Sequence, residues 1–182
     1  MATFVQRMIG AAKLDVATYE EVEADRSATM QAMGVVVLSA VAAAIGGLGH
    51  EGMRGPLLGL VGALIGWYAW AFVTWLVGTK ILPEPQTEAD LGQLLRTTGF
   101  SSAPGLFRIF GFIPVIGGII GFAAALWMLA SMVVAVRQAL DYHGTGRAVA
   151  VVVIGFLFYI AVVAGIAIIF GVGAGAIGSL TR

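Results

Sequence analysis

The chain has 182 residues, of which 59% are hydrophobic and 11% are charged, and its mean hydropathy is +0.97. A water-soluble domain of this length cannot bury so much apolar surface, because small domains leave a large fraction of their surface exposed. Ten basic and ten acidic side chains give a formal net charge of zero, so overall electrostatics suggest neither a nucleic-acid partner nor a strongly anionic substrate. The composition indicates an integral membrane protein, and the lack of cysteine excludes disulfides and cysteine metal sites.

Five apolar stretches organise the sequence, and most are long enough to cross a bilayer as an α-helix, which needs roughly 20 residues. They cover residues 35–48, 57–77, 99–113, 115–136 and 149–170. We therefore predict an all-α integral membrane protein with five transmembrane helices. Residues 1–32 are expected to form a cytoplasmic amphipathic and acidic helical segment, and residues 33–182 a five-span transmembrane domain.

The N-terminal segment carries an apolar stripe at helical spacing. Its apolar members are Phe4, Val5, Met8, Ile9, Ala12 and Val16, whereas Gln6, Arg7, Lys13 and Asp15 lie elsewhere around the helix. This pattern predicts an amphipathic helix that either lies on the membrane surface or packs across the ends of the spans.

An acidic run covering residues 19–32 follows, and it contains no helix breaker before the first span. It is interpreted as a hydrated connector or as a docking surface. The candidate contacts with a partner or with lipid are Tyr19, Asp25 and Gln31 before the first span and Arg137 and Asp141 after the fourth.

The distribution of basic residues predicts the topology. With a cytoplasmic N-terminus, seven of the ten fall on the cytoplasmic side, namely Arg7, Lys13, Arg26, Lys80, Arg96, Arg137 and Arg147. The other three are Arg54, Arg108 and Arg182. This ratio follows the positive-inside rule, and five spans then place the C-terminus outside. If the short stretch 99–113 is re-entrant, the C-terminus moves to the cytoplasm.

The 26 glycines suggest close helix packing, because small residues at four-residue spacing let helices in lipid approach each other. Two ridges are predicted, formed by Gly55, Gly59, Gly62 and Gly66 in the second span and by Gly117 and Gly121 in the fourth. Both packing within the molecule and a dimer interface remain open for them.

The third stretch contains Pro104, which removes a backbone hydrogen bond and predicts a kinked or broken helix. Neighbouring hydroxyls can satisfy the freed carbonyls, and broken helices also build ligand sites in transporters. Arg108 lies near the end of the stretch, where it can reach the headgroups or contact an anion. The candidate kink or ligand residues are Thr97, Thr98, Gly99, Ser101, Ser102, Pro104 and Arg108.

No pattern in the sequence predicts catalysis, a cofactor or a metal site. The two histidines, His50 and His143, fall on predicted opposite sides of the membrane, so they cannot form a paired metal site or complete a catalytic triad together. We therefore expect a protein that is not an enzyme.

The order of three motifs resembles the Ypt-interacting protein (YIP) family of polytopic membrane proteins. They are the run from Gly99 to Pro104 in the third of five spans, the run from Leu14 to Ala32 before the first span, and the run from Val136 to Asp141 after the fourth. The last two look like the bacterial branch. The resemblance implies a five-span helical bundle in a bacterial inner membrane.

Eukaryotic relatives work in Golgi and endoplasmic-reticulum trafficking, bind prenylated Rab-type GTPases and form membrane complexes with one another. This sequence lacks their long cytoplasmic N-terminal region with an Asp-Leu-Tyr-Gly-Pro-like motif, so the resemblance does not extend to GTPase binding. The sequence favours a membrane scaffold or accessory protein that binds a protein partner or organises lipid through its cytoplasmic face. A small transporter or channel at the broken third span is the alternative, and a subunit of a larger or self-associated membrane assembly is a third possibility.

Overall fold

The structure is a computed structural model that describes residues 2–47 and 54–180, with the main chain alone at 54–57 and at several positions beyond 162. All regular elements in these ranges are helical. The α-helices are α1 (Phe4–Ala12), α2 (Val16–Ala24), α3 (Ala28–Gly46), α4 (Arg54–Leu76), α5 (Leu91–Phe100), α6 (Ile116–Ala139) and α7 (Thr145–Leu180). A π-helical turn, Val77–Ile81, continues α4, and a 3₁₀ segment, Ala103–Phe112, follows α5.

Four helical stretches in the described ranges are long and apolar enough to cross a membrane, which confirms the membrane-protein prediction. They are Ala28–Gly46, Leu58–Ile81, Ile116–Ala139 and Thr145–Val162. The predicted stretch 99–113 is not among them, because the chain leaves α-helical geometry after Phe100 and continues as the 3₁₀ segment. The count of five spans therefore stays a prediction.

The acidic run is broken, although the sequence predicted that it continues into the first span. Helix α2 ends at Ala24, and Asp25 Oδ1 accepts hydrogen bonds from the main-chain N–H of Ser27 at 2.9 Å and from its Oγ at 2.6 Å. Such local Asp side-chain bonds offer the backbone an alternative to a helix. Helix α3 then begins at Ala28, so the predicted boundary between residues 32 and 33 falls inside a helix.

Helix α1 packs along the side of the bundle, against α2, the 3₁₀ segment and α6. Ser131 Oγ of α6 lies 3.4 Å from the carbonyl oxygen of Ala11, and α6 rises about 12 Å between Ser131 and its end at Ala139. The helix turns Arg7 and Ala11 inward, while Val5 and Ile9 stay exposed. Helix α1 therefore lies beside the spans and not across their ends.

The turn between α1 and α2 holds a non-glycine residue in the left-handed region, since Leu14 has φ 61°. The N–H of Leu14 bonds to the carbonyl of Ala11 and the N–H of Asp15 to the carbonyl of Gly10, both at 3.0 Å. This is a Schellman motif, which satisfies the last carbonyls of α1 and reverses the chain into α2.

Helix α3 packs most extensively against the 3₁₀ segment, and small residues line this seam. A Cβ added at Gly99 would lie 2.7 Å from the Cβ of Ala32. One at Gly105 would meet Ser39 Oγ, and one at Gly46 would meet the carbonyl of Arg108. Ala32, Ser39 and Gly46 are spaced by seven residues, so they lie on one side of α3 and bring the two backbones close together.

The seam also shows that α3 and the third predicted stretch, residues 99–113, run parallel. Gly99 lies against Ala32 and Gly105 against Ser39, so the contacts follow the same order along both segments. Helix α3 rises about 21 Å between Ala32 and Gly46 at ~1.5 Å per residue. The chain from Gly99 to Gly111 covers about the same length, because a 3₁₀ helix rises ~2 Å per residue. The third stretch thus accompanies α3 over most of its length.

The predicted glycine ridges have mostly open surroundings. A Cβ added at Gly59, Gly62, Gly66 or Gly121 would have no atom within 4 Å among the described residues, whereas one at Gly117 would meet the carbonyl of Gly111. The surroundings of Gly55 lie outside the described residues. Among the predicted ridge glycines whose surroundings the structure describes, only Gly117 makes a close approach within the bundle. The seam between α3 and the 3₁₀ segment is formed instead by Gly46, Gly99, Gly105 and Gly111.

Three tryptophan indoles connect distant parts of the chain through main-chain carbonyls. Trp67 Nε1 donates to Leu95 at 3.0 Å, Trp75 Nε1 to Ala89 at 3.0 Å and Trp127 Nε1 to Ala12 at 2.7 Å. These bonds join α4 to α5, α4 to the loop before α5, and α6 to the end of α1.

We predict that Gly105→Ala destabilises the bundle, because the new methyl group would meet Ser39 Oγ and would lie 2.9 Å from Met128 Sδ. Overpacking of this kind costs about 1–3 kcal/mol of unfolding free energy. Thermal unfolding of the purified protein in detergent measures the loss. Gly121→Ala is the control, since nothing lies within 4 Å of its added Cβ. Equal unfolding midpoints for the two variants would contradict the close approach.

Candidate functional site: the polar end of the bundle

A buried arginine joins the first three helices. Arg7 is 2% exposed and reaches three partners: its guanidinium donates to Glu21 at 2.9 Å, to Asp25 at 2.8 Å and to the side-chain oxygen of Gln31 at 3.1 Å. Two of the predicted contact residues, Asp25 and Gln31, thus bind Arg7, and the Asp25 side chain is only 15% exposed. The cluster fixes α1 and α2 against the start of α3.

The charges of this cluster stabilise one another. Burial disfavours the charged form of Arg7, but the hydrogen bonds that it donates to Glu21 and Asp25 outweigh this effect and raise its pKa. The bond from Arg7 is the main reason that the pKa of Glu21 is lowered. Bonds from Ser27 and then Arg7 lower the pKa of Asp25 to about 2. All three groups are therefore charged at neutral pH.

Tyr19, another of the predicted contact residues, is fully buried, so its side chain lies in the core. Its hydroxyl lies 2.6 Å from Ser131 Oγ and donates to the carbonyl of Ala11 at 3.3 Å. Burial raises the pKa of this phenol far above its usual range. Tyr19 joins α1, α2 and α6.

Helix α5 holds the end of α2 through Arg96, whose Nε donates to the carbonyls of Val22 at 3.1 Å and Glu23 at 2.9 Å. These carbonyls belong to the last turn of α2, where no intrahelical partner is left for them and where a cation is favourable. Gln93 of α5 also donates to the Glu23 carboxylate at 3.0 Å.

The loop between α4 and α5 is tied to the turn between α6 and α7. Gln86 Nε2 donates to the carbonyl of Asp141 at 2.9 Å, and Thr87 Oγ1 donates to the carbonyl of Leu140 at 3.0 Å. Tyr142, 3% exposed, donates to the carbonyl of Leu82 at 2.7 Å. Arg147 reaches the carbonyl of Pro83 at 2.8 Å.

Asp141 is exposed and takes the left-handed conformation, with φ 53°. The N–H of Asp141 bonds to the carbonyl of Gln138 at 2.9 Å and the N–H of Tyr142 to the carbonyl of Arg137 at 3.0 Å, which is a second Schellman motif. Asp is one of the few residues other than glycine that visits this region. Arg137 in turn donates to the carbonyls of Tyr142 and His143, both at 3.3 Å.

These segments form one surface, which we call the polar end: residues 2–7 and 20–27, the loop 82–90 with the start of α5, and residues 137–147. A shallow polar pocket of about 310 Å³ opens in it. Its lining includes Glu20, Glu23, Arg137, Gln138, Asp141 and His143. Two predicted contact residues, Arg137 and Asp141, therefore lie together at a polar surface.

The predicted kink residues lie deeper in the bundle, and their hydroxyls bond to main-chain carbonyls of α5. Thr97 Oγ1 donates to Gln93 at 3.0 Å, Thr98 Oγ1 to Leu94, and Ser101 Oγ to Thr98 at 2.7 Å. Helix α5 ends at Phe100, and Pro104 lies at the start of the 3₁₀ segment that follows. Arg108 is exposed near the opposite end of the bundle.

Thr98 and Ser102 line a second pocket, of about 330 Å³, between several helices. Gly62 and Gly66 form part of its wall, which explains the open space above them, and Trp67, Trp70 and Tyr159 complete an aromatic side. The predicted kink and one predicted glycine ridge therefore meet at the same cavity.

In the parts of the chain that the structure covers, no three His, Asp or Glu side chains are arranged to hold a metal ion. His50 falls outside those parts. His143 bonds to Glu84 through its main-chain N–H at 3.2 Å, and it lies at the polar end.

The fold and the site define a polytopic helical membrane protein with a hydrogen-bonded polar end. Comparison with family models matches residues 14–172 to the Yip1 domain. The match covers most of the chain, so the protein belongs to the Yip1 domain family, as the motifs indicated. No curated protein and no solved structure matches the chain.

We predict that Arg7→Met lowers the thermal unfolding midpoint by several degrees, because it leaves the carboxylates of Glu21 and Asp25 without their cation. Arg26→Met is the matched control, since Arg26 is exposed and lies at the same end of the chain. Unfolding midpoints that fall equally in both variants would show that the Arg7 cluster makes no specific contribution to thermal stability.

Glu23 makes stability depend on pH. Its burial, with Asp141, Glu20 and Asp90 nearby and with Arg96 opposing them, raises its pKa from 4.5 to about 7. A raised folded-state pKa favours the protonated form, so the stabilisation is fully present below about pH 4.5 and is lost as the pH rises through about 7.

We therefore expect the thermal unfolding midpoint to be lower at about pH 8 than at about pH 5, and we expect Glu23→Gln to reduce this fall. Thermal unfolding in detergent at both pH values measures it. Glu88→Gln, at an exposed position in the loop 82–90, should leave the fall unchanged. The same pH dependence in the wild type and in Glu23→Gln would contradict the assignment.

Proposed function

We propose that the protein is a non-enzymatic membrane scaffold or accessory protein that binds a protein partner through its polar end. The observation that supports this most is that three segments far apart in sequence are held together by side-chain hydrogen bonds. Arg96 binds the end of α2, Gln138 Nε2 donates to Glu20 at 3.1 Å, and Gln86 binds the turn after α6. Such a preorganised surface loses little entropy when a partner binds.

The chemistry of this surface suits a polar partner. Glu20, Asp141 and His143 are exposed around the shallow pocket, and Arg26 and Glu88 are exposed in the same segments. Exposed loop and turn residues on a rigid support are frequent binding positions. We place the contact on the acidic rim formed by Glu20 and Asp141.

We further propose that the polar end faces the cytoplasm of a bacterial cell and that the protein lies in the inner membrane. Six of the ten basic residues fall in or next to the segments of the polar end, as the positive-inside rule requires of the cytoplasmic side. The resemblance of residues 14–32 and 136–141 to bacterial family members supports the compartment.

Five crossings follow from the same arrangement if the third stretch spans the bilayer. The parallel seam supports this, because Gly99 and Gly111 pack near Ala32 and Gly46, toward the two ends of a helix that qualifies as a span. The chain then returns through α6 to the polar end, and α7 leaves the polar end again. We therefore propose that the C-terminus lies outside.

The binding function is tested by extracting the tagged protein from its native membrane in polymer discs and measuring the molecular mass of the complexes. We expect a stoichiometric protein partner that is retained by wild type. The double variant Glu20→Gln with Asp141→Asn should lose it, since Asn tolerates the left-handed φ while the charge is removed. Arg108→Gln, near the opposite end, is the control. A partner retained equally by all three, or no protein partner at all, would contradict the proposal.

A transporter or channel remains the second candidate, and the pocket beside Thr98 and Ser102 is the observation that favours it. Cysteines introduced at two adjacent positions separate the two functions. Ser102 lines the pocket, whereas Ser101 is 1% exposed and bonds to Thr98. A hydrated path predicts that Ser102→Cys reacts with a water-soluble thiol reagent and that Ser101→Cys does not. No reaction at Ser102→Cys under any condition would exclude this path.

A further inference from the structure

The pocket beside Thr98 and Ser102 has the size of a small-molecule site. Its volume of about 330 Å³ falls within the roughly 300–1,000 Å³ of such sites and is about twice the ~150 Å³ that holds benzene. Residues of α3, α4, α5, α6 and α7 surround it, together with Ser102 at the start of the 3₁₀ segment. The space therefore fits a substituted ring or two fused rings.

The space exists because glycines stand where larger side chains would fill it. Gly62 and Gly66 of α4 line the pocket, and a Cβ added at either would have no atom within 4 Å among the described residues. Gly62 is exposed, and Tyr159 of α7, which also lines the pocket, is 40% exposed. Both positions lie in helical stretches that qualify as spans. The pocket therefore opens at the side of the bundle, where a molecule dissolved in the bilayer can enter.

The lining of the pocket carries no charge. Within the parts of the chain that the structure describes, no Asp, Glu, Lys, Arg or His borders it. A charged ligand would lose its hydration here without gaining a counter-charge, and isolated charges are expensive at such positions. The pocket therefore selects an uncharged molecule.

Aromatic rings form one side of the pocket. The rings of Trp70 and Tyr159 meet edge to face with centroids 6.5 Å apart, and Trp67 lies beside them on α4. Both indole donors are already bonded, Trp67 Nε1 to the carbonyl of Leu95 at 3.0 Å and Trp70 Nε1 to Met132 Sδ at 3.2 Å. The two indoles therefore offer the ligand apolar ring surface, on which a planar ring can stack or pack edge to face.

Two hydroxyl groups of the pocket are free to bond a ligand. Thr98 Oγ1 already donates to the carbonyl of Leu94, whereas the hydroxyls of Ser102 and Tyr159 have no hydrogen-bond partner among the described residues. The half-buried Ser102 lies where water is scarce, so an oxygen atom of a ligand would satisfy its O–H. An uncharged ring with a carbonyl oxygen matches both the aromatic side and this donor.

We propose that this pocket binds one small uncharged ring compound that carries a carbonyl oxygen, with the ring against Trp67 and Trp70 and with the oxygen accepting a hydrogen bond from Ser102. A quinone has this chemistry, because its ring is planar and uncharged and its oxygens accept hydrogen bonds. Binding requires neither a protein partner at the polar end nor a path across the membrane, so it is independent of both functions proposed above.

Quenching of tryptophan fluorescence by menadione, a methylated naphthoquinone, tests the proposal on the purified protein in detergent. The chain has no cysteine, so the probe cannot form thiol adducts with it. We expect saturable quenching with one equivalent bound. Methylnaphthalene, which lacks the oxygens, and the cation N-methylquinolinium should each displace menadione only at concentrations about fivefold or more above that of a second uncharged naphthoquinone. Quenching that does not saturate, or equal displacement by either comparison compound, would overturn the proposal.

Two glycine variants locate the site. Gly62→Leu places a side chain in the pocket and should weaken menadione binding by about tenfold or more. Gly59→Leu is the matched control, because Gly59 lies on the same helix with equally open surroundings but does not line the pocket. Equal losses in the two variants would show that menadione does not bind in this pocket.

Two serine variants test the hydrogen bond. Ser102→Ala should weaken menadione about fivefold, the loss that one neutral hydrogen bond confers, and should leave the affinity for methylnaphthalene unchanged. Ser101→Ala is the control, since Ser101 is bonded to Thr98 and does not line the pocket. Menadione affinities that are the same in Ser102→Ala and Ser101→Ala would overturn the role of Ser102.

Discussion

The close approach of α3 to the third stretch is the constraint on which the rest of the structure depends. It exists because side chains are absent at Gly99, Gly105 and Gly46, so that the backbones meet Ala32, Ser39 and the Arg108 carbonyl directly. In lipid there is little hydrophobic gain from bringing two apolar helices together, so dispersion contacts at short range have to stabilise the pair. The 3₁₀ segment then offers its other sides to α6 and α1.

The Arg7 cluster is the second organising element, and it transmits the position of the spans to the polar end. Gln31 belongs to the span α3, Glu21 to α2 and Arg7 to α1, so a displacement of any of these helices breaks charged hydrogen bonds. Arg96 extends the connection to α5. A partner that bound Glu20 or Asp141 would therefore contact a surface whose geometry is coupled to the membrane-embedded helices.

The sequence predicted the parts of the fold that depend on apolar length. Helices α4, α6 and α7 overlap the predicted stretches. The sequence did not predict that Arg7 points inward, because hydrophobic periodicity assigns charged residues to the solvated face of a helix. Periodicity also does not indicate that Glu21, Asp25 and Gln31, which come later in the chain, bind this arginine. The glycine seam was missed for a related reason. Spacing of four marks a seam between two α-helices, whereas the partner of α3 is a 3₁₀ segment with three residues per turn.

The three indoles that bond to main-chain carbonyls determine how conservative an aromatic exchange is in this chain. Phenylalanine keeps the apolar ring of Trp67, Trp75 or Trp127 but has no N–H, and the carbonyls of Leu95, Ala89 or Ala12 would then lose a donor. Water replaces such a donor at a protein surface, but hydrocarbon does not. Tryptophan in this protein therefore acts as a polar link between segments, and the bilayer makes those links that lie within it harder to replace than the size of the ring suggests.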